Sequence, residues 1–366
     1  MTIGILYRDE LNEYDFGPGH PFRGDRYNMF MKFLKEHIPE ENNYRIIEAE
    51  PASDEDLLFI CTQDYIDRVR EFYRSAHLGL ISPSSISGYL SGDNLPCHQP
   101  GKIEEAARVI IGQAKYACTL VQEGTYKKVV SIGGGMHHAK PSFGEGFCIY
   151  NDVAFCGYYL ANHFKLDRIL VLDTDAHGGN GTMEYFYQEP RILFIDLHQD
   201  PLTLYPGTGF AQQIGSGAGK GYTVNVPMPE GAGYDCYQLV LEEIVEPLVQ
   251  EFKPQIIIRN GGSDPHYNDH LTQLGLSLEG FRMIGEKVRA LAEICDGKVI
   301  DLIASGYNKE VLPYAWLSLL SGLAGFNYTI QETEEHHPHY AHDHAFEETQ
   351  EVIELVKSNL NQFWKF

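Results

Sequence analysis

Short apolar runs and amphipathic stretches alternate along the chain. Runs at 2–7, 45–49, 57–60, 127–132, 168–173, 191–196, 222–226, 255–259 and 298–303 read as buried strands. Between them, roughly 25–37, 64–74, 102–123, 151–164, 234–252, 278–294, 309–323 and 346–362 read as helices. In 102–123 the helical spacing is carried by Ile103, Ala106, Ala107, Ile110, Ala114, Ala117, Cys118 and Val121. Such alternation predicts an α/β fold, a mostly parallel sheet with helices on both faces. No linker or repeat interrupts it, so a single domain over 1–366 is expected. Two long loops, 76–101 and 197–221, are rich in Gly, Ser and Pro, and long loops in compact domains are often functional.

The polar residues that end the apolar runs carry the candidate chemistry. After Ile169–Leu172 comes Asp173-Thr174-Asp175-Ala176-His177. Extended backbone alternates its faces, so Asp173, Asp175 and His177 point the same way. Three other runs end in Gly-flanked polar residues: Gly133–Ala139 with His137-His138, Asn260–Pro265 with Asp264, and Ser305–Asn308 with Tyr307. Four such ends place a site at the carboxyl edge of a parallel sheet. Asp175, His177 and Asp264 form a set of one His and two carboxylates, which suits zinc with an open position for water. Each Asp alone reads equally well as a helix cap. A two-His iron site is disfavoured, because the nearest pair is Asp-x-His. Adjacent His137 and His138 cannot face one way on extended backbone, so one faces the site and the other supports it. The Tyr307 hydroxyl can donate to a developing oxyanion; the competing reading is a packing residue, one of 23 tyrosines.

Composition narrows the partners. A net charge of −23 leaves no basic patch for phosphates, so direct nucleic-acid binding is not expected. It favours a cationic substrate such as a lysine-rich tail or a polyamine, and serves solubility equally well. No run of 18 apolar residues exists, and the first residues lack a signal-peptide pattern. Seven scattered cysteines without CxxC spacing read as reduced thiols, and a cytoplasmic location is expected. The histidine-rich stretch 334–344 reads as a solvated surface loop, with adventitious metal binding as the alternative.

The series GGGMHHA (133–139), GFCIYND (146–152), DTDAHGGNG (173–181), LYPGTG (204–209), GSDP (262–265) and SGYN (305–308) resembles the histone deacetylase family. That family includes acetoin-utilisation and acetylpolyamine amidohydrolase branches of bacteria and archaea. Tyr14–Pro21 resembles its opening motif, and the resemblance spans about residues 10–325. It implies the arginase/deacetylase fold, with an eight-stranded parallel sheet between helices. It implies Zn²⁺ on Asp175, His177 and Asp264, and removal of acyl groups from lysine side chains of proteins or peptides. His138 would be general base and acid, and His137 its partner, held by Asp173. Tyr307 would polarise the carbonyl. Phe147 and Tyr205, with Gly146, would wall a narrow substrate channel, and Asp93 would hold substrate at its rim. Arg26 would line an internal product channel. A structural K⁺ would sit on Asp173 and Asp196 with carbonyls of Asp175, His177 and Leu197. Three positions depart from the better-known members: Asn180 stands for an Asp beside His138, Ala304-Ser305-Gly306 for a run of glycines, and Asp196 for a serine. The alternatives are an acetylpolyamine amidohydrolase and a non-catalytic acetyl-lysine binding module. A binuclear arginase-like manganese site is weaker for want of carboxylates. The oligomeric state is left open.

Overall fold

The computed structural model describes residues 2–80, 86–329, 332 and 342–366. Its strands are β1 (Ile3–Leu6), β2 (Tyr44–Ile47), β3 (Lys128–Ile132), β4 (Ile169–Asp173), β5 (Ile192–Gln199), β6 (Thr223–Met228), β7 (Ile256–Gly261) and β8 (Val299–Ile303). They form one all-parallel sheet in the order β2-β1-β3-β8-β7-β4-β5-β6. Every residue of β4, β5, β7 and β8 is buried. Both faces are therefore covered, which is why these strands read as unbroken apolar runs.

The helices are α1 (Asp25–His37), α2 (Glu40–Asn43), α3 (Asp54–Leu57), α4 (Gln63–His77), α5 (Ile103–Gln122), α6 (Asp152–Asn162), α7 (Asn180–Phe186), α8 (Tyr234–Val240), α9 (Glu246–Phe252), α10 (Leu278–Leu291), α11 (Leu312–Ala324) and α12 (His342–Leu360). Between α8 and α9 a π turn, Leu241–Val245, keeps the stretch continuous. It precedes Pro247, whose missing N–H breaks the ordinary ladder. α5 packs on β3, α6 on β4 and β7, and α12 on β6. No helix among the described residues is long and apolar enough to cross a membrane.

Three sequence expectations need correction. The run 57–60 is not a strand. Ser53 and Asp56 form a capping box that starts α3, and the chain then turns. Leu57 and Ile60 are buried while Leu58 and Phe59 are 49% and 41% exposed, a spacing of three that a strand does not have. β5 runs on to Gln199, because Leu197, His198 and Gln199 pair with Val226, Pro227 and Met228 of β6, so the loop expected from 197 begins later. α7 was hidden behind Gly178-Gly179. It starts at Asn180 and passes so close to the His138 and Ala139 carbonyls that a side chain at Gly181 would collide with them. The histidine-rich residues 334–341 lie outside the described residues.

Candidate functional site

Five contiguous strands, β3-β8-β7-β4-β5, send their carboxyl ends to one place. The register is close: Asp173 of β4 pairs with Asn260 of β7 on one side and with Asp196 of β5 on the other. Asp175, His177 and Asp264 follow β4 and β7 and are buried. The His177 Nδ1 lies 3.1 Å from Asp175 Oδ1 and 3.1 Å from Asp264 Oδ2. One atom from each of the three lies within 4.8 Å of the others, a group able to hold a metal ion. Burial and the charge of Asp175 push the Asp264 carboxyl up to about 7, while the charges of His137 and His177 outweigh burial and hold Asp175 ionised. Burial opposes the charge on His177, but hydrogen bonds to Asp175 and Asp264 overcome it and raise the imidazole to about 10. Two crowded, buried carboxylates and an imidazole nitrogen are the donor set a divalent cation satisfies.

The histidine pair sits beside this group. The His137 Nδ1 lies 2.8 Å from Asp173 Oδ2, and its Nε2 lies 3.1 Å from His138 Nε2. Asn260 Nδ2 donates to the same Asp173 oxygen at 2.8 Å. Burial pulls the His137 pKa down, but the Asp173 and Asp175 charges reverse this and raise it to about 9. His138 moves the other way. Burial and the neighbouring His137 and His177 hold it well below its ordinary value, so it is neutral. Its Nδ1 lies 2.7 Å from Asn180 Oδ1.

Tyr307 faces the group from the end of β8. Its ring lies 5.9 Å from Phe147 and 6.2 Å from His177. Burial, then the Asp264 and Asp175 charges, raise its hydroxyl well above the usual range, which keeps the proton on it. Its loop is tied down along its length. Ser305 Oγ donates to Asp264 Oδ1 at 2.7 Å, Trp316 Nε1 to the Ser305 carbonyl at 3.0 Å, and the Tyr307 amide to Asp269 Oδ2 at 2.7 Å. Gly306 has φ +126° against Ser263, a conformation and a closeness that only glycine tolerates. Buried Arg26 donates to the carbonyls of Ala304 and Gly306, each at 3.0 Å, so it holds the tyrosine loop.

The outer residues are placed as follows. Tyr205 is 41% exposed, with its ring 5.1 Å from His138. Gly146 is packed against the His138 ring, and its amide donates to Asp93 Oδ2 at 2.9 Å. The other Asp93 oxygen takes the Ser91 hydroxyl, so this carboxylate organises its own loop. Asp196 is buried, accepts the Gly179 amide at 2.8 Å and lies 3.0 Å from His198 Nδ1. A monovalent cation at Asp173 and Asp196 would compete with His198 for that carboxylate. Sequence reasoning missed Asn260, Asp269 and Glu145 as members of the site. Only Asn260 had a signal, since it opens a cluster at a strand end.

The histone deacetylase domain family model matches residues 20–323. The chain is 36% identical to a probable deacetylase of Archaeoglobus fulgidus, covering 100% of this chain and 99% of that protein. It is 35% identical to the acetoin utilization protein AcuC of Staphylococcus xylosus, covering 89% of this chain and 83% of that one. The solved HDA15 HD domain superposes with a TM-score of 0.83 at 23% identity, covering 99% and 96% of the two chains, a likeness of fold. With its parallel sheet and its buried Asp/His/Asp group, this chain belongs to the histone deacetylase family.

Proposed function

We propose that the protein is a zinc-dependent amidohydrolase that removes acyl groups from lysine side chains of proteins or peptides. One observation carries this reading: two adjacent histidines, His137 held by Asp173 and His138 by Asn180, stand beside a buried Asp/His/Asp group with Tyr307 facing it. Asp175, His177 and Asp264 would hold the zinc. Bound there, the ion would supply Lewis acidity toward the acyl carbonyl and toward water.

The chain's own residues do the rest. His138 Nε2 takes the proton of the attacking water and later delivers it to the leaving amine nitrogen. Asp173 and Asn260 hold His137 and its charge in place, which keeps His138 neutral and ready to accept. The Tyr307 hydroxyl donates to the carbonyl oxygen as it gains charge. Phe147 and Tyr205 present apolar walls that suit the methylene stem of lysine and exclude water around it. The chain's acidity favours the cationic surroundings of lysine-rich segments. All seven cysteines are unpaired, which supports a reducing, cytoplasmic setting.

Tyr307→Phe is expected to lower kcat by about 10²–10³-fold, the usual loss of one oxyanion donor. KM should change little, because the bond strengthens only as charge develops. Steady-state kinetics on an acetyl-lysine peptide measures both, and near-unchanged turnover would remove Tyr307 from the mechanism. The substrate class is tested by turnover of an acetyl-lysine peptide, longer acyl-lysine peptides and acetylputrescine side by side. The peptide should have the highest kcat/KM. A preference for acetylputrescine would make the protein an acetylpolyamine amidohydrolase. Binding of the peptide without turnover would make it an acetyl-lysine reader.

A further inference from the structure

The partner of His138 is an amide, and an amide has two unlike ends. Asn180 can offer His138 its oxygen, which places the proton on Nδ1 and leaves Nε2 free to accept. Flipped, it would offer NH₂, force the proton onto Nε2 and abolish the base. A carboxylate at this position, which only accepts, would leave no such choice. The structure contains a device that makes it. Asn180 Nδ2 donates to Glu145 Oε1 at 2.9 Å. Lys140 Nζ lies 2.7 Å from that same oxygen, and Glu184 lies 3.8 Å beyond the ammonium. The Glu145 side chain is only 15% exposed.

We propose that Glu145 is a positioning residue for His138: its carboxylate, which can only accept, locks the Asn180 amide with the oxygen toward the imidazole and so selects the Nδ1–H tautomer. The chain Lys140–Glu145–Asn180–His138 then has a single donor direction, from Lys140 and Asn180 into Glu145 and from His138 into Asn180. Gly144 and Gly146 flank Glu145, and Gly146 packs on the His138 ring, so the loop is close enough for the lock to act.

This inference rests on the reading of His138 as the base, but its test does not depend on turnover. The long-range ¹H–¹⁵N imidazole spectrum of the zinc-loaded protein, with His138 assigned by its loss in His138→Ala, should show the Nδ1–H tautomer alone. In Glu145→Ala the tautomers should mix, and kcat should fall by roughly 10–100-fold, the usual cost of losing an outer partner that fixes a histidine. KM, metal content and melting temperature should hold. Glu145→Gln keeps an acceptor oxygen, which the Lys140 ammonium, able only to donate, would hold at the same place, so it should recover the single tautomer and most of the lost kcat. An Nε2–H tautomer in the unaltered protein overturns the proposal, and so does a single Nδ1–H tautomer in Glu145→Ala. Equal damage from Gln and Ala overturns it as well. Absence of any deacetylation would strike the functional reading and leave the tautomer result standing on its own.

Discussion

Replacing His138 with alanine is expected to lower kcat by about 10²–10⁴-fold, the usual contribution of a general acid–base group. Metal content should not change, since His138 is not one of the three converging donors. The pH profile gives a second check. His138 must be neutral to accept a proton. Burial and the adjacent His137 and His177 lower its pKa well below 6.5, so the neutral form persists to lower pH than for an ordinary imidazole. The acidic limb of kcat/KM should therefore fall below that value in the unaltered protein and vanish in His138→Ala. If His137→Ala proves the more damaging change, the two roles are reversed.

Asp264→Ala is expected to lose both zinc and turnover. Catalytic zinc sites lean on three protein ligands, and Asp175 with His177 cannot hold the open geometry alone. Inductively coupled plasma mass spectrometry after dialysis should find one ion per unaltered chain and almost none in the variant. Folding can be separated from binding. In the metal-free protein Asp264 is crowded by Asp175 but also takes the Ser305 hydroxyl and the His177 imidazole, so its removal leaves both without that partner. The metal-free variant is therefore expected to melt somewhat lower than the metal-free parent, and zinc binding is read from the shift each protein shows on adding metal. Zinc at about 1,000 times its Kd should stabilise the parent by about 4 kcal/mol and leave the variant unmoved. Full occupancy in Asp264→Ala would place the metal elsewhere.

The sheet was legible because a parallel strand buried on both faces is an apolar run, and this chain's runs end in Gly-flanked polar residues. Asp173, Asp175 and His177 were expected on one face from the period of extended backbone, but β4 ends at Asp173 and the chain bends through 175–177, where the Asp175 amide donates to Asp173 Oδ1 and the His177 amide to Asp175 Oδ1. The meeting of Asp264 with His177 depended on strand order, which a local pattern does not carry; the Gly-flanked polar residues at several strand ends suggested it, and the motif resemblance implied the same set. The run 57–60 misled because four apolar residues in succession do not distinguish a strand from the last turn of a capped helix. α7 was missed because its first residues, Asn180 and Gly181, serve the site and a close backbone approach at the expense of helix propensity. Ser305 looked like a disturbance of a glycine loop, yet it donates to Asp264 and accepts from Trp316. Glu145 and Asp269 act through loops that converge only in three dimensions, so neither had a periodic signature.

The most direct test of the central claim is acetate release from an acetyl-lysine peptide, followed by proton NMR, with the protein first stripped by chelator and then titrated with zinc. The account predicts no release from the stripped protein and stoichiometric acetate and free lysine once one zinc per chain is added. It also predicts that Asp264→Ala stays silent at that zinc level. Release that is indifferent to chelator and to Asp264, or no release at full zinc occupancy, would contradict it.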